Sequence, residues 1–167
     1  MTRVKLEKMS GADLAFLLSQ VGYQSASLFG ERLAPLELTP PEAGILKVIS
    51  QSEGLSQQNL GARLSMFPSR LVVVLDQLEK RGLVERRPSP ADRRSHALYL
   101  SAAGHKTLKE IGRISREHQN TLCAALNEAE RGQLEYLLRK IAEDQHLAPG
   151  IHPGFRKLNV DRRRRRS

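Results

Sequence analysis

The chain has 167 residues, one cysteine, no tryptophan and a formal net charge of +9. A domain of this size buries a core without disulfides, and the lone Cys123 excludes an internal disulfide and fits a reducing cytoplasm. The charge favours a polyanionic partner, nucleic acid ahead of an anionic membrane, while aromatics at only 4% argue against readers of single strands, which stack bases on aromatic platforms. Residues 162–166 are all arginine, and without them the net charge falls from +9 to +4. The start of the chain is charged with no apolar run behind it. No window supplies the roughly 18 uncharged apolar residues of a membrane span, so neither a signal peptide nor a membrane partner is expected.

Residues 1–10 are polar and basic and read as a flexible N-terminus. From 11 to 33, Leu14, Leu17, Leu18, Val21, Ser25 and Leu28 follow helical spacing, and Pro35 ends that helix. Thr39-Pro40-Pro41-Glu42 is a start signal: a capping threonine, a proline in the first helical turn, and a glutamate that completes a capping box. Ile45, Val48 and Ile49 form the buried face of a short helix ending near 52–54. Ser56 caps the next helix, with Leu60 and Leu64 inward. After the turn at 65–68, Leu71, Val74, Leu75 and Leu78 fall at i, i+3, i+4 and i+7 of a second helix over 69–81. Lys80 and Arg81 suit its C-terminal dipole, and Gly82 supplies a left-handed stop.

Residues 83–87 and 97–100 read as two short strands joined by a polar loop. Ser101 caps a long helix running to about 126, with a stripe of Leu108, Ile111, Ser115, His118, Leu122 and Ala125. Asn127 and Glu130 form a second capping box, opening a last helix that carries Leu134, Leu137, Leu138 and Ile141. Ala148-Pro149-Gly150 stops it, and the rest, rich in arginine, reads as an extended or disordered tail.

Helix, turn, helix and basic hairpin is the order of a DNA-reading unit, in which the second helix enters the major groove. Its outward face holds Ser69, Arg70, Val73, Asp76 and Gln77. An exposed valine suits thymine methyls, Arg70 suits guanine, and Pro68 and Ser69 bring a helix N-terminus towards phosphate. Ser56 and Gln57, opening the first helix, join these candidate contacts. In the hairpin, Arg86, Arg87, Arg93 and Arg94 converge; Arg94 or Arg93 is expected to enter the minor groove or grip phosphate. Asp92, repelled by phosphate, is expected to orient an arginine. The five histidines lack metal-ligand spacing, and neither a nucleophile motif nor a phosphate-cradling glycine loop is present, so no cofactor, metal or enzymatic activity is expected. Cys123, beside an apolar stripe, reads as core and not as a redox sensor.

The run Leu78-Glu79-Lys80-Arg81-Gly82-Leu83-Val84-Glu85-Arg86, followed by Asp92-Arg93-Arg94-Ser95-His96-Ala97-Leu98-Tyr99-Leu100-Ser101-Ala102-Ala103-Gly104, resembles the MarR family of winged-helix regulators. The Asp-Arg-Arg loop and the Leu-Ser-x-x-Gly that follows carry most of the likeness. It implies a mainly α fold with a small β wing: a winged helix-turn-helix (39–100) with N- and C-terminal dimerisation helices (11–33 and 102–146). The MarR-type domain then spans 11–147 and a basic tail 148–167. It also implies a homodimer on a pseudo-palindromic double-stranded operator, and many members are repressors released by a small, often phenolic, aromatic effector or by an oxidant. Asp92 would pair with a wing arginine, and Arg94 or Arg93 would reach the minor groove. Tyr23 on the first helix is the candidate for the effector cleft. The sequence departs from the usual pattern in having Val72-Val73 where many relatives carry Thr-Arg, in Phe67 at the helix cap, and in the arginine tail. Two other readings compete: a nucleoid-type protein binding DNA without sequence preference, and a dimeric ligand-binding module without an operator.

Overall fold

The computed structural model describes residues 11–88, 96–152 and 154–157. The expectations for residues 1–10, for Asp92, Arg93 and Arg94 in the hairpin loop, and for the arginines at 162–166 fall outside these residues.

Local signals decide where most elements begin. Helix α1 (Gly11–Leu33) gives way to a 3-10 turn, Ala34–Leu36, opened by Pro35. Helix α2 (Pro40–Gln51) starts in the expected capping box. The Glu42 amide donates to Thr39 Oγ1 at 3.4 Å, and the Thr39 amide donates to Glu42 Oε2 at 2.7 Å. A two-residue strand β1 (Leu55–Ser56) leads into α3 (Gln57–Leu64), capped by Ser56 Oγ, which accepts from the Asn59 amide at 3.2 Å. Helix α4 (Pro68–Lys80) follows, and Gly82 takes a left-handed φ of 67°. Strands β2 (Val84–Pro88) and β3 (His96–Leu100) pair antiparallel, Val84 opposite Leu100 and Pro88 opposite His96. β1 pairs with the other edge of β3, Leu55 opposite Leu98, giving the order β1-β3-β2. Helices α5 (Ala102–Leu122) and α6 (Glu128–Asp144) and a short turn of helix, α7 (Gly154–Lys157), complete the fold.

The core sits between α2, α3, α4 and the sheet. Ile45, Leu46, Ile49, Leu60, Leu64, Leu71, Leu75, Leu78 and Leu98 are all fully buried. At about 1.5–3 kcal/mol for each such side chain, this lobe carries most of the folding free energy. The outer helices differ. α6 has no buried residue, and Leu14, Val21, Leu137 and Ile141 are exposed on α1 and α6. The expected apolar stripes of both helices therefore exist without an occupant in the single chain.

Four features depart from expectation. The strand β1 is additional, because two residues make a strand only when β3 lies beside them. α5 ends at Leu122, short of 126, where the chain tightens as the Ala124 amide donates to the Thr121 carbonyl at 3.3 Å and the Leu126 amide to the Cys123 carbonyl at 3.1 Å. Its buried side chains beyond Gly104 are Ile111 and Ile114, the second of which the expected stripe omits. α6 ends at Asp144, and His146, left-handed at φ 53°, turns the chain before Ala148-Pro149-Gly150 is reached. Finally, the described part of the expected extended tail is not extended throughout: Ile151 packs on the core and Phe155 is buried.

One junction ties the lobe to α5. Ser101 caps α5 by accepting from the Gly104 amide at 2.9 Å, and its hydroxyl donates to the Gly82 carbonyl at 2.5 Å. The Ser101 amide donates to the Leu83 carbonyl at 3.1 Å. That carbonyl comes so close to α5 that a Cβ on Gly104 would lie 2.0 Å from the Leu83 oxygen. The Leu-Ser-x-x-Gly signature is thus a joint: serine links two elements and glycine lets them touch. Arg81 makes a second tie, donating to the carbonyls of Glu37 at 2.7 Å and Leu36 at 2.8 Å.

Candidate nucleic-acid interface

The turn between α3 and α4 is built from backbone. Ser65 caps α3 in the left-handed conformation, φ 51°, and the Met66 amide reaches back to the Gly61 carbonyl at 3.0 Å. Met66 is buried and anchors the turn. Gly61 allows the close crossing, since a Cβ there would already touch Leu71 Cδ2 at 3.4 Å. α4 then starts at Pro68 with no side-chain cap and no acidic residue in its first turn.

With Leu71, Leu75 and Leu78 buried, α4 turns a continuous stripe outward. Ser69, Val73 and Gln77, at i, i+4 and i+8, are exposed, and Val73 is 55% exposed. Pro68 is exposed beside them and Arg70 is half-buried. Among the described residues, no hydrogen bond or ion pair engages the side chains of Ser69, Arg70 or Gln77. Ser56 and Gln57 are half-buried at the start of α3, where Ser56 spends its oxygen on the cap.

The arginines of β2 are not equivalent. Arg86 is drawn onto α4, where its guanidinium donates to Asp76 Oδ1 at 2.6 Å and to Glu79 Oε2. Its side chain is only 19% exposed. It is therefore a tie between hairpin and helix, and its donors point at carboxylates, not outward. The sequence reading of Arg86 as a free contact misses these partners. Asp76 and Glu79 sit at i and i+3 on α4, a spacing that puts two carboxylates on one face and was a usable signal. Arg87, nearer the hairpin tip, is exposed. It donates to Glu85 Oε2 at 2.8 Å and 3.1 Å and lies 4.5 Å over the Tyr99 ring. The Glu85 hydrogen bond, above all, raises its pKa further, so it is a permanent cation.

A cavity of about 670 Å³ lies behind the lobe, between α1, α2 and α5. α1 contributes Gly22, Ser25, Ala26 and Phe29; the exposed Tyr23 is not among its lining residues. Ser25 Oγ and His118 Nε2 are hydrogen-bonded at 3.1 Å, and the His118 ring lies 5.4 Å from that of Phe29. Burial, with a smaller contribution from Arg32, lowers the His118 pKa below its usual 6.5. The unfolded chain then binds the proton more readily. Stability from this site is full above about pH 6.5, declines as the pH falls through that value, and stops declining below the depressed folded pKa. Urea midpoints measured from pH 7.5 to 5 should fall less steeply in His118→Gln than in the wild type; parallel curves would contradict this assignment.

Among the described residues, no helix is long and apolar enough to cross a membrane, and no group of His, Cys, Asp and Glu is arranged to hold a metal ion. Cys123 is half-exposed at the end of α5.

The sequence profile of the MarR family matches residues 38–96, from the end of the first connection to β3. A putative transcriptional regulatory protein for the hcr operon of Thauera aromatica is 35% identical over 67% of this chain and 68% of its own length. An HTH-type transcriptional repressor of Mycobacterium tuberculosis is 32% identical over 80% of this chain and 96% of its own. Among solved structures, apo MarR from Escherichia coli superposes with a TM-score of 0.69 at 28% identity, covering 81% of this chain and 98% of that one. The repressor CouR bound to a 23-mer DNA duplex gives 0.69 at 29% identity, covering 81% and 99%. By its sequence relatives, its winged lobe and its flanking helices, this chain belongs to the MarR family.

Proposed function

We propose that the protein is a homodimeric repressor of transcription that binds a pseudo-palindromic double-stranded operator in the cytoplasm. One observation carries the reading: α4 has a fully buried inner face and an outward stripe of Ser69, Val73 and Gln77 with no partner among the described residues, beside an arginine-bearing hairpin. A helix in solvent gains nothing from an exposed valine, whereas a thymine methyl covers one. In this account Pro68, Ser69, Arg70, Val73 and Gln77 read the major groove, and Ser56 and Gln57 meet the backbone. Arg87, with Arg93 and Arg94, serves the hairpin, and Asp92 orients one of those arginines. Arg86 is assigned to positioning. The exposed apolar faces of α1 and α6 support the dimer, which would set two copies of α4 about one helical turn, roughly 34 Å, apart on DNA. A small aromatic effector in the cavity under α1 would act by favouring a spacing that does not match the operator.

Arg70→Ala tests the reading. At fixed salt it should weaken binding to a duplex selected from a random pool by about tenfold or more, and binding to unselected duplex far less. Equal affinity of the wild type for both duplexes would favour the nucleoid-type alternative. Unchanged affinity in Arg70→Ala would remove α4 as the reading element.

A further inference from the structure

The cavity under α1 is walled in part by the chain's own C-terminal segment. After α6 the chain turns, the Ile151 amide donating to the Ala148 carbonyl at 3.1 Å. The Gly154 amide donates to His152 Nδ1 at 3.0 Å and the Phe155 amide to the His152 carbonyl at 3.2 Å. This tight turn aims Phe155 back at α2. It is almost fully buried, at 5% exposure. The ring lies on Gly44: a Cβ there would be 2.8 Å from Phe155 Cζ and 3.4 Å from Cε2. Glycine in mid-helix costs about 0.5–1 kcal/mol relative to alanine, and here its missing Cβ leaves room for the ring. Both Phe155 and His152 line the cavity, together with Phe29, Ile111 and Lys47.

We propose that Ile151, His152 and residues 154–157 act as a tethered lid, with Phe155 filling part of the cavity that an aromatic anion would otherwise enter. The walls are apolar and aromatic, and the rim carries the Lys47 cation, which suits a flat ring bearing a carboxylate or sulfonate. The tether makes Phe155 an intramolecular competitor at high effective concentration. A ligand needing that space binds only the undocked fraction, so its apparent affinity is reduced in proportion to that fraction. The proposal rests on the reading that a small molecule enters this cavity, while docking of the lid is measurable without one.

Two variants of the full chain approach the contact from opposite sides. Phe155→Ala removes the ring, and Gly44→Ala pushes it out while keeping it. Titrated with 1-anilinonaphthalene-8-sulfonate, each should bind on the order of tenfold more tightly than the wild type, both still unfolding cooperatively in urea. In the wild type, hydrogen exchange should find the amides of Ile151, Gly154 and Phe155 protected, and saturating probe should strip that protection. Tighter binding in both variants with loss of protection supports the lid. Unchanged or weaker binding in both, or added protection with probe, would overturn it. Amides already unprotected in the free protein would show that the segment does not dock. Docked amides with no probe binding by any of the three proteins would overturn the cavity reading instead.

Discussion

Gly104→Ala is expected to lower stability by about 3 kcal/mol or more, against a total of roughly 5–15 kcal/mol for a domain. The added methyl carbon would sit 2.0 Å from the Leu83 carbonyl oxygen, which belongs to rigid backbone. That oxygen also accepts the Ser101 amide, so moving it away breaks a second hydrogen bond. Moving α5 instead pulls Ser101 from the Gly82 carbonyl and loosens the cap. Either escape separates the winged lobe from the helix that supports it. The internal control is Gly112→Ala in the same helix, where, among the described residues, the new carbon meets only Arg116 Nη1 at 3.5 Å. It should be neutral or stabilise by up to about 1 kcal/mol. In thermal melts the two variants should shift in opposite directions or differ by on the order of 10 °C, taking roughly 2–4 °C per kcal/mol for a chain of this length. Equal midpoints would mean that the close approach is not structural.

Arg86→Gln is expected to weaken DNA binding by roughly 10- to 100-fold at low salt without Arg86 touching DNA. Its guanidinium neutralises Asp76 and Glu79, both of which are partly exposed on α4. Without it, two carboxylates stand uncompensated on the helix proposed to meet a polyanion, and the hairpin loses its tie to that helix. The loss should shrink as salt rises, because exposed charges are screened beyond about 10 Å at 0.1 M. A combined variant, Asp76→Asn, Glu79→Gln and Arg86→Gln, separates the two roles. If Arg86 acts by neutralising the two carboxylates, the combined variant recovers most of the affinity. If it stays as weak as Arg86→Gln alone, neutralisation is excluded and Arg86 acts through its tie to α4 or as a contact itself, as the sequence first suggests. Anisotropy titrations at two salt concentrations make the distinction.

The dimer expected from α1 and α6 has a thermodynamic motive in the single chain. α6 buries none of its own residues, so little beyond capping and helix propensity holds it in place. Asn127 and Glu130 close a capping box at its start, worth about 1 kcal/mol, which is small beside a packed apolar face. Leu134, Leu137, Leu138 and Ile141, all exposed, form the face that a second copy would cover.

What the sequence determined by itself is what short-range chemistry controls. Thr39 with Glu42, Ser56, Ser101, and Asn127 with Glu130 each open a helix where they stand, because a cap and its amide are three residues apart. Gly82 ends α4 for an equally local reason, its positive φ. The periodicity of Leu71, Leu75 and Leu78 set the inner face of α4 and, by subtraction, the outward stripe. Tertiary structure alone decided the remainder, which depends on residues brought together from far along the chain. β1 is a strand only because β3 passes it, Arg86 is a tie only because β2 returns to Asp76 and Glu79, and the cavity excludes Tyr23 because α1 is rotated to present Ser25 and Phe29. Phe155 shows the division most plainly. Ile151 and Phe155, at i and i+4, were a faint apolar signal in a polar, arginine-rich end. Only the space above Gly44, more than a hundred residues earlier, converts that signal into burial.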